Sequence, residues 1–462
     1  MISRLGLALS EFFRKTAPDP FALAVILTIV AGALAFSLGD FPNQPEGIGA
    51  GAYLLDAWRA GDGLWRFLAF SMQMCLILVT GHALAASRPM KRLIDSLSSL
   101  PRSGAAGAAM VGLVAAVLGL VNWGLGLIAG ALLAREVGRA LHRRGVRAHY
   151  PLLVAAGYMG MLVWHGGLSG SAPLSVTTPD GASKVLPDEA MLALGDAGIS
   201  LDQTLLSPLN IVVCAGLLLL VPLALWLLAP RAGDPVREIA EFDCAGDERA
   251  APPPPVTVPE LLDRTPPLAW LLAIGLLAAF ARYGQVDGFT SVGLNEVNVA
   301  MLALGLLFHG SLASYAGAVE EGARGCAGII IQFPLYAGIM AMLSASGLIQ
   351  RFAEALAAGG QTGVPLLTFL SAAVVNIFVP SGGGQWGIQG PIALEAGHVV
   401  GVAPGKMVMA VAYGDQLTNM LQPFWALPLL AITGAKARDI VGYTAVVMLA
   451  AGAWMALCLL LL

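Results

Sequence analysis

Charge is what this chain has least of. Asp, Glu, Lys and Arg make up 12% of its 462 residues, about half the share that a soluble domain carries. An ordinary soluble globular protein is therefore excluded. Long basic runs are missing too, and the formal net charge is −4. Nucleic acid, which needs a Lys/Arg face against its phosphates, is excluded as a partner. Cysteine is sparse and scattered: Cys75, Cys214, Cys244, Cys326 and Cys458 stand alone, with no C-x-x-C pair. Neither a zinc site nor a disulfide framework is indicated, so the five read as packing residues.

What is abundant is apolar length. Hydrophobic residues make up 57% of the chain before its 56 glycines are counted. The runs Phe21–Leu38, Leu205–Leu228 and Tyr443–Leu462 approach the ~20 residues that cross a hydrocarbon core as a helix. The class is an all-α polytopic membrane protein with a single membrane domain. The first apolar run exceeds the about 7–15 residues of a signal-peptide core, so it reads as a retained helix. Before it, residues 1–17 place Ile2, Leu5, Leu9, Phe12 and Phe13 on one face, as an interfacial amphipathic helix does.

Lys and Arg in short loops mark the cytoplasmic side. Arg14 and Lys15 set the N-terminus inside, and Phe21–Leu38 leads out to Asp40, Glu46, Asp56 and Asp62. Phe67–Ala86 returns to Arg88, Lys91, Arg92 and Arg102. The next stretch, Gly104–Ala134, is basic on both flanks, ending at Arg135, Arg139, Arg143, Arg144 and Arg147. Its 31 residues are too few for two spans, which need about 40. A re-entrant hairpin turning at Asn122-Trp-Gly-Leu-Gly126 satisfies both facts, and such a turn is tolerated only where protein or a cavity surrounds it. From Pro151 the chain crosses outward as a discontinuous helix broken at His165–Pro173, and Leu205–Leu228 returns inside.

Residues 230–266, acidic and holding Pro252–Pro255, read as an extended solvated linker. It separates a first membrane repeat, 18–229, from a second, 267–462. In the second, Leu268–Ala281, Val297–His309 and Ala327–Leu343 cross in turn, and Leu366–Gly397 is interrupted at Pro380-Ser-Gly-Gly-Gly384. By parity this hairpin enters from outside, and Met407–Ile432 runs back to Lys436 and Arg438. Special residues recur in order: Asn122 precedes Pro173 by 51 positions and Asn376 precedes Pro428 by 52, each asparagine opening a hairpin turn. Two inverted-topology repeats, each with a re-entrant helical hairpin and a discontinuous transmembrane helix, are the expected architecture, one shared by many secondary transporters.

Such proteins hold substrate and coupling ion between hairpin tips and broken helices. Ser381, Gly382, Gly383 and Gly384 form a nest suited to a carboxylate, and Gly166–Ser171 can do the same from the other half. The cradle assigned to a carboxylate is Ser169, Gly170, Ser171, Ser381, Gly382, Gly383, Gly384 and Gln385. Asn122, Asn376, Thr418 and Asn419 offer oxygens to a coupling ion. Asp415 is the only carboxylate between Val399 and Ala435; it reads as a proton-coupling site, an Na⁺ ligand or a protonated structural donor. No Lys or Arg stands in these segments, so an anion relies on dipoles or travels with a cation. His82 and His165 read as structural histidines. Trp123, Trp386 and Trp425 pack either a small apolar tail, the core or an interfacial belt. No cofactor is indicated beyond H⁺ or Na⁺ as coupling ion. A membrane-embedded enzyme lacks its motifs, since no G-x-S-x-G or H-E-x-x-H occurs. A passive anion channel is the other alternative.

Several strings resemble the short-chain fatty acid transporter family: Met72–Ala83, Val121–Gly126, Gly166–Pro173, Gln332–Tyr336, Val379–Trp386, Ile388–Pro391, Tyr413–Gln416 and Gln422–Pro428. The resemblance runs over nearly the whole chain and is weakest in 230–266. It implies uptake of short monocarboxylates such as acetoacetate or butyrate across the cytoplasmic membrane. It also implies a homodimer with a scaffold part and a moving, elevator-like transport part. Two positions depart from the family pattern: Gln385, where a histidine can follow the glycines, and Asp415, where a glutamate is familiar.

Overall fold

The computed structural model describes residues 20–66, 68–177, 198–231, 233–244, 257–286, 294–348, 351, 360, 362–378 and 382–462. The interfacial helix expected over 1–17 lies outside them, as do Pro380 and Ser381. Among the described residues the secondary structure is helical, without a strand. The first half comprises α1 (Pro20–Leu38), α2 (Ala50–Arg59), α3 (Leu68–Ala86), α4 (Arg88–Ser98), α5 (Gly104–Val121), α6 (Trp123–Arg143), α7 (Tyr150–Gly157), α8 (Ser171–Ser175) and α9 (Pro208–Leu228). The second comprises α10 (Val258–Arg264), α11 (Pro266–Val286), α12 (Leu294–His309), α13 (Leu312–Ala323), α14 (Ala327–Ala345), α15 (Gly363–Phe378), α16 (Gly382–Val400), α17 (Pro404–Thr418), α18 (Pro423–Thr433) and α19 (Ala437–Leu461). Five helical stretches among the described residues, α5, α9, α11, α13 with α14, and α19, are long and apolar enough to cross a membrane.

The helices pack in two groups. In one, α3 lies against α12 and α13, α11 against α12, and α1 and α2 against α14. In the other, α5 packs with α6, α7 and α9, α15 with α16 and α17, and α19 with α7 and α9. α6 touches both, reaching α3 and α4 on one side and α18 on the other. The interruptions expected from the sequence all fall in the second group.

Local chemistry explains the breaks. Asn122 ends α5 and starts α6: its Oδ1 accepts from Gly124 N–H at 2.9 Å and Leu125 N–H at 3.2 Å, satisfying donors that a helix start leaves open. α7 stops at Gly157, and the chain continues through 3₁₀ turns at Met159–Leu162 and Trp164–Gly166. The break therefore begins before His165, earlier than the sequence indicates. Backbone packing is the reason: a β-carbon on Gly157 would stand 2.6 Å from the Gly130 carbonyl oxygen, and one on Gly119 would stand 2.6 Å from that of Gly160. α17 ends in a 3₁₀ turn, Asn419–Leu421, before α18 starts at Pro423, so Met407–Ile432 is two helices rather than one.

Other expectations shift. α6 runs nine residues beyond Ala134 to Arg143, so Arg135 and Arg139 sit on a helix, where both reach Glu136, at 2.9 and 3.0 Å. Asn376 lies inside α15 rather than in a turn. Gly382, Gly383, Gly384 and Gln385 form the first turn of α16, not a free loop. α2, α4 and α13 occupy stretches between the apolar runs, where the sequence indicates loops. The linker is not wholly solvated either. Residues 237–244 strap α6 and α7 to α18 and α19. His142 meets Glu238 at 2.8 Å, Tyr150 N–H donates to the Arg237 carbonyl at 2.8 Å, and Arg237 Nη1 bonds Asp439 Oδ1 at 2.6 Å. Cys244 Sγ and the Tyr150 hydroxyl both donate to the Thr433 carbonyl. Gly434 closes α18 at φ +69°, where any β-carbon would strike the Asp243 carbonyl.

Candidate functional site

The breaks of the two halves meet in the interior of the second helix group. From the first half come the 3₁₀ turns at 159–166 and the start of α8; from the second come the end of α17, its 3₁₀ turn and the start of α16. Gln416 Oε1 accepts from the N–H groups of His165 at 3.1 Å and Gly166 at 3.2 Å. The Tyr158 hydroxyl donates to the carbonyls of Asn419, at 2.8 Å, and Gln422, at 3.1 Å. Buried backbone groups orphaned by the breaks thus find partners in the opposite half, as membrane depth requires. Asn210 of α9 adds a brace, donating to the Gly166 carbonyl at 2.8 Å and accepting from the Tyr413 hydroxyl at 3.0 Å.

Two assigned groups come together directly. A β-carbon built on Gly382 would stand 2.6 Å from Ser171 Oγ, 2.8 Å from Trp164 Cη2 and 3.0 Å from His165 Cε1, so the start of α16 touches the first half's break. Ser169 is turned differently: its Oγ accepts from Trp123 N–H at 3.0 Å, pinning the first hairpin turn. Gln385 faces α15, with Nε2 donating to the Ala372 carbonyl at 2.9 Å and to Gln389 Oε1 at 2.6 Å, while its Oε1 is buried without a partner. Trp123 sits edge-on to Trp425 at 5.1 Å, and Trp164 stacks on His165 at 4.3 Å.

Asn376, Thr418, Asn419 and the backbone of Asp415 also converge. Asn376 Nδ2 donates to the Asp415 carbonyl at 2.8 Å, Thr418 Oγ1 at 3.1 Å and Asn419 Oδ1 at 2.9 Å. Three acceptors around that atom fix the amide's orientation. Three oxygens of the cluster are thus turned onto one N–H donor, while Asn376 Oδ1 is buried without a partner. Asn122, spent on capping α6, belongs to the other tip. The Asp415 side chain points elsewhere, its Oδ2 3.0 Å from His165 Nδ1, with both side chains buried.

A family model described as Short chain fatty acid transporter matches residues 1–462. The chain belongs to the short-chain fatty acid transporter family. It is 38% identical over 98% of both chains to the "Putative short-chain fatty acid transporter" of Escherichia coli (strain K12). With the protein of that name from Haemophilus influenzae it shares 36% identity over 96% of each. Among solved structures, the YdaH transporter of Alcanivorax borkumensis aligns at 19% identity and TM-score 0.45 over 96% of this chain and 97% of that one. MtrF of Neisseria gonorrhoeae aligns at 15% identity and TM-score 0.39 over 98% and 96%. This member of the short-chain fatty acid transporter family is a multi-pass membrane transporter and not an enzyme.

For the transporter family member, the line Ser171–His165–Asp415 is no hydrolytic triad. His165 Nε2 accepts from Ala172 N–H at 3.0 Å, so its lone pair is not free to take a proton from Ser171, whose Oγ lies 3.2 Å away. Tyr158, Asn210, Tyr413 and Gln416 carry no sequence signal as site residues, and the sequence marks His165 only as a structural histidine. A signal for His165 did exist: an imidazole and a lone carboxylate, both at membrane depth, each need a partner.

Proposed function

We propose that this chain is a secondary active transporter of the cytoplasmic membrane, N-terminus inside, that moves a short monocarboxylate together with H⁺ or Na⁺. The observation that carries the reading is the contact between Gly382 and Ser171. The first turn of α16 has backbone N–H groups without helical acceptors, an arrangement suited to a carboxylate. Opposite stands the Ser171 hydroxyl. Parting of the two breaks would open a space between them beside the Trp164 ring. The confinement of the breaks to one helix group, with α6 against the other, supports alternating access by motion of that group, as does the matching order of α5–α9 and α15–α19 for two inverted repeats.

Uptake of labelled butyrate and acetoacetate into proteoliposomes tests the reading, with Na⁺ and proton gradients imposed separately and protein-free liposomes alongside, because butyric acid crosses lipid unaided. Saturable accumulation above the control is expected. Non-saturating flux that never exceeds equilibrium would make the protein a passive channel; no uptake by folded protein would remove short acids as substrate.

A further inference from the structure

We infer that the buried His165–Asp415 pair is the proton-binding site of transport, taking up one proton with each carboxylate; this deepens the proposed function and rests on it. The argument starts from a donor that has no choice. Ala172 N–H can only donate, and it points at His165 Nε2 from 3.0 Å. The imidazole therefore presents a lone pair at Nε2 and carries its hydrogen on Nδ1, the atom 3.0 Å from Asp415 Oδ2. That contact is off the N–H direction, so neither Nδ1 nor Oδ2 completes a hydrogen bond. Two functional atoms, wholly buried, are thus left within reach of one another and unsatisfied, which in a native interior calls for an explanation.

The surroundings leave few ways to balance charge. Neither His165 nor Asp415 has a Lys or Arg ion-pair partner among the described residues. The titratable groups on the elements packed around them are Tyr158, just before the first 3₁₀ turn, Tyr413 on α17 and Cys214 on α9, whose Sγ reaches the Gly166 carbonyl; α5, α8 and the start of α16 carry none. All three hydroxyl or thiol hydrogens are committed, Tyr158 to Asn419, Tyr413 to Asn210, and Cys214 to Asn210 and Gly166. The pair with Asp415 ionised carries one negative charge. A carboxylate arriving between Gly382 and Ser171 stands against the His165 ring, and two negative charges in one dry volume repel strongly.

One proton resolves this. Placed on Nε2 it would set N–H against the Ala172 N–H, so it goes to the Asp415 carboxylate, on Oδ1 rather than on Oδ2, which already faces Nδ1–H. The carboxylate becomes a neutral carboxylic acid with Oδ2 still toward Nδ1–H, and the pair loses its charge. No bond other than O–H forms. The proton comes from water on the side where the acid binds and leaves to water on the side where it is released. Substrate and proton thereby bind with mutual reinforcement, and His165 is the positioning residue, its Nδ1 standing 3.0 Å from the carboxyl group.

Calorimetric titration of purified protein with potassium butyrate, without Na⁺, in two buffers of different ionisation enthalpy reads the proton count directly. About one proton should be taken up per bound acid at pH 7.5, with affinity falling up to tenfold per pH unit on the alkaline side. Asp415→Asn should take up none and bind with an affinity independent of pH. Asp415→Glu should keep the uptake with a displaced pH midpoint, which holds the test open if the amide variant does not fold. His165→Gln should also keep one proton; loss of uptake there would move the proton to the imidazole and overturn the assignment. Wild-type binding without proton uptake, or with uptake surviving in Asp415→Asn, overturns the proposal while leaving the transport reading intact. Failure of folded protein to bind any short acid overturns both.

Discussion

The Tyr158 hydroxyl donates to the Asn419 carbonyl at 2.8 Å, joining the broken helix of the first half to that of the second. Tyr158→Phe keeps the ring and removes the donor, leaving the Asn419 and Gln422 carbonyls short of a partner. A loss of about 1–3 kcal/mol is expected. It should appear as a lowered unfolding temperature of the purified protein and a several-fold fall in uptake; an unchanged unfolding temperature would show that another donor replaces the phenol.

Gly382→Ala places a methyl group 2.6 Å from Ser171 Oγ and 2.8 Å from the Trp164 ring. Overpacking of this kind costs about 1–3 kcal/mol, roughly tenfold or more if it acts on the transport step. Gly363→Ala is the control, because nothing stands within 4 Å of a β-carbon there. Initial rates of butyrate uptake should fall about tenfold in the first and stay at the parental value in the second.

Asn122 and Asn376 should respond to substitution in different ways. Asn122 acts as a helix cap, so Asn122→Ser should preserve folding and uptake while Asn122→Ala costs about 1 kcal/mol. Asn376 holds three acceptors on one amide, and neither Ser nor Ala can replace that fork. Uptake should be lost in both Asn376 variants. Survival of Asn376→Ser would show that the cluster needs only one of its bonds.

His149, just before α7, gives the fold a pH dependence that is separate from transport. Burial, with the Arg237 guanidinium adding to it and Asp439 opposing, lowers its pKa to about 4, against about 6.5 when unfolded. Between those values the unfolded chain binds the proton and the folded chain does not, so stability falls as pH drops below about 6.5. His149→Gln, which cannot titrate yet can still accept from Arg237 N–H, should flatten the decline in unfolding temperature between pH 7.5 and 5.

The sequence revealed what composition and local breaks can reveal. Apolar runs located α1, α3, α9 and α19, because a lipid-facing helix must be apolar along its length. Asn122 and the Pro/Gly clusters located the interruptions. Short helices α2, α4 and α13 were missed because their apolar residues are mixed with charged ones. The pairing of His165 with Asp415 spans 250 positions, and the bonds from Tyr158 to Asn419 and Tyr413 to Asn210 span 261 and 203. Side chains that meet only after both halves fold leave no local spacing to read. The strap at 237–244 was hidden for a related reason: its acidic, Pro-flanked composition is that of a solvated linker, and the partners of Arg237, Glu238, Phe242 and Cys244 that bind it down lie far away in sequence.

Where Gly119, Gly126, Gly130, Gly157 and Gly160 meet, main chain lies on main chain and no rotamer can adjust. An exhaustive substitution library would find these five sites as intolerant as any that touch cargo, although none is assigned to an acid or a proton. Sensitivity in such a library would therefore trace two unrelated maps, one of chemistry and one of clearance. Only the pH response of the surviving variants would tell them apart.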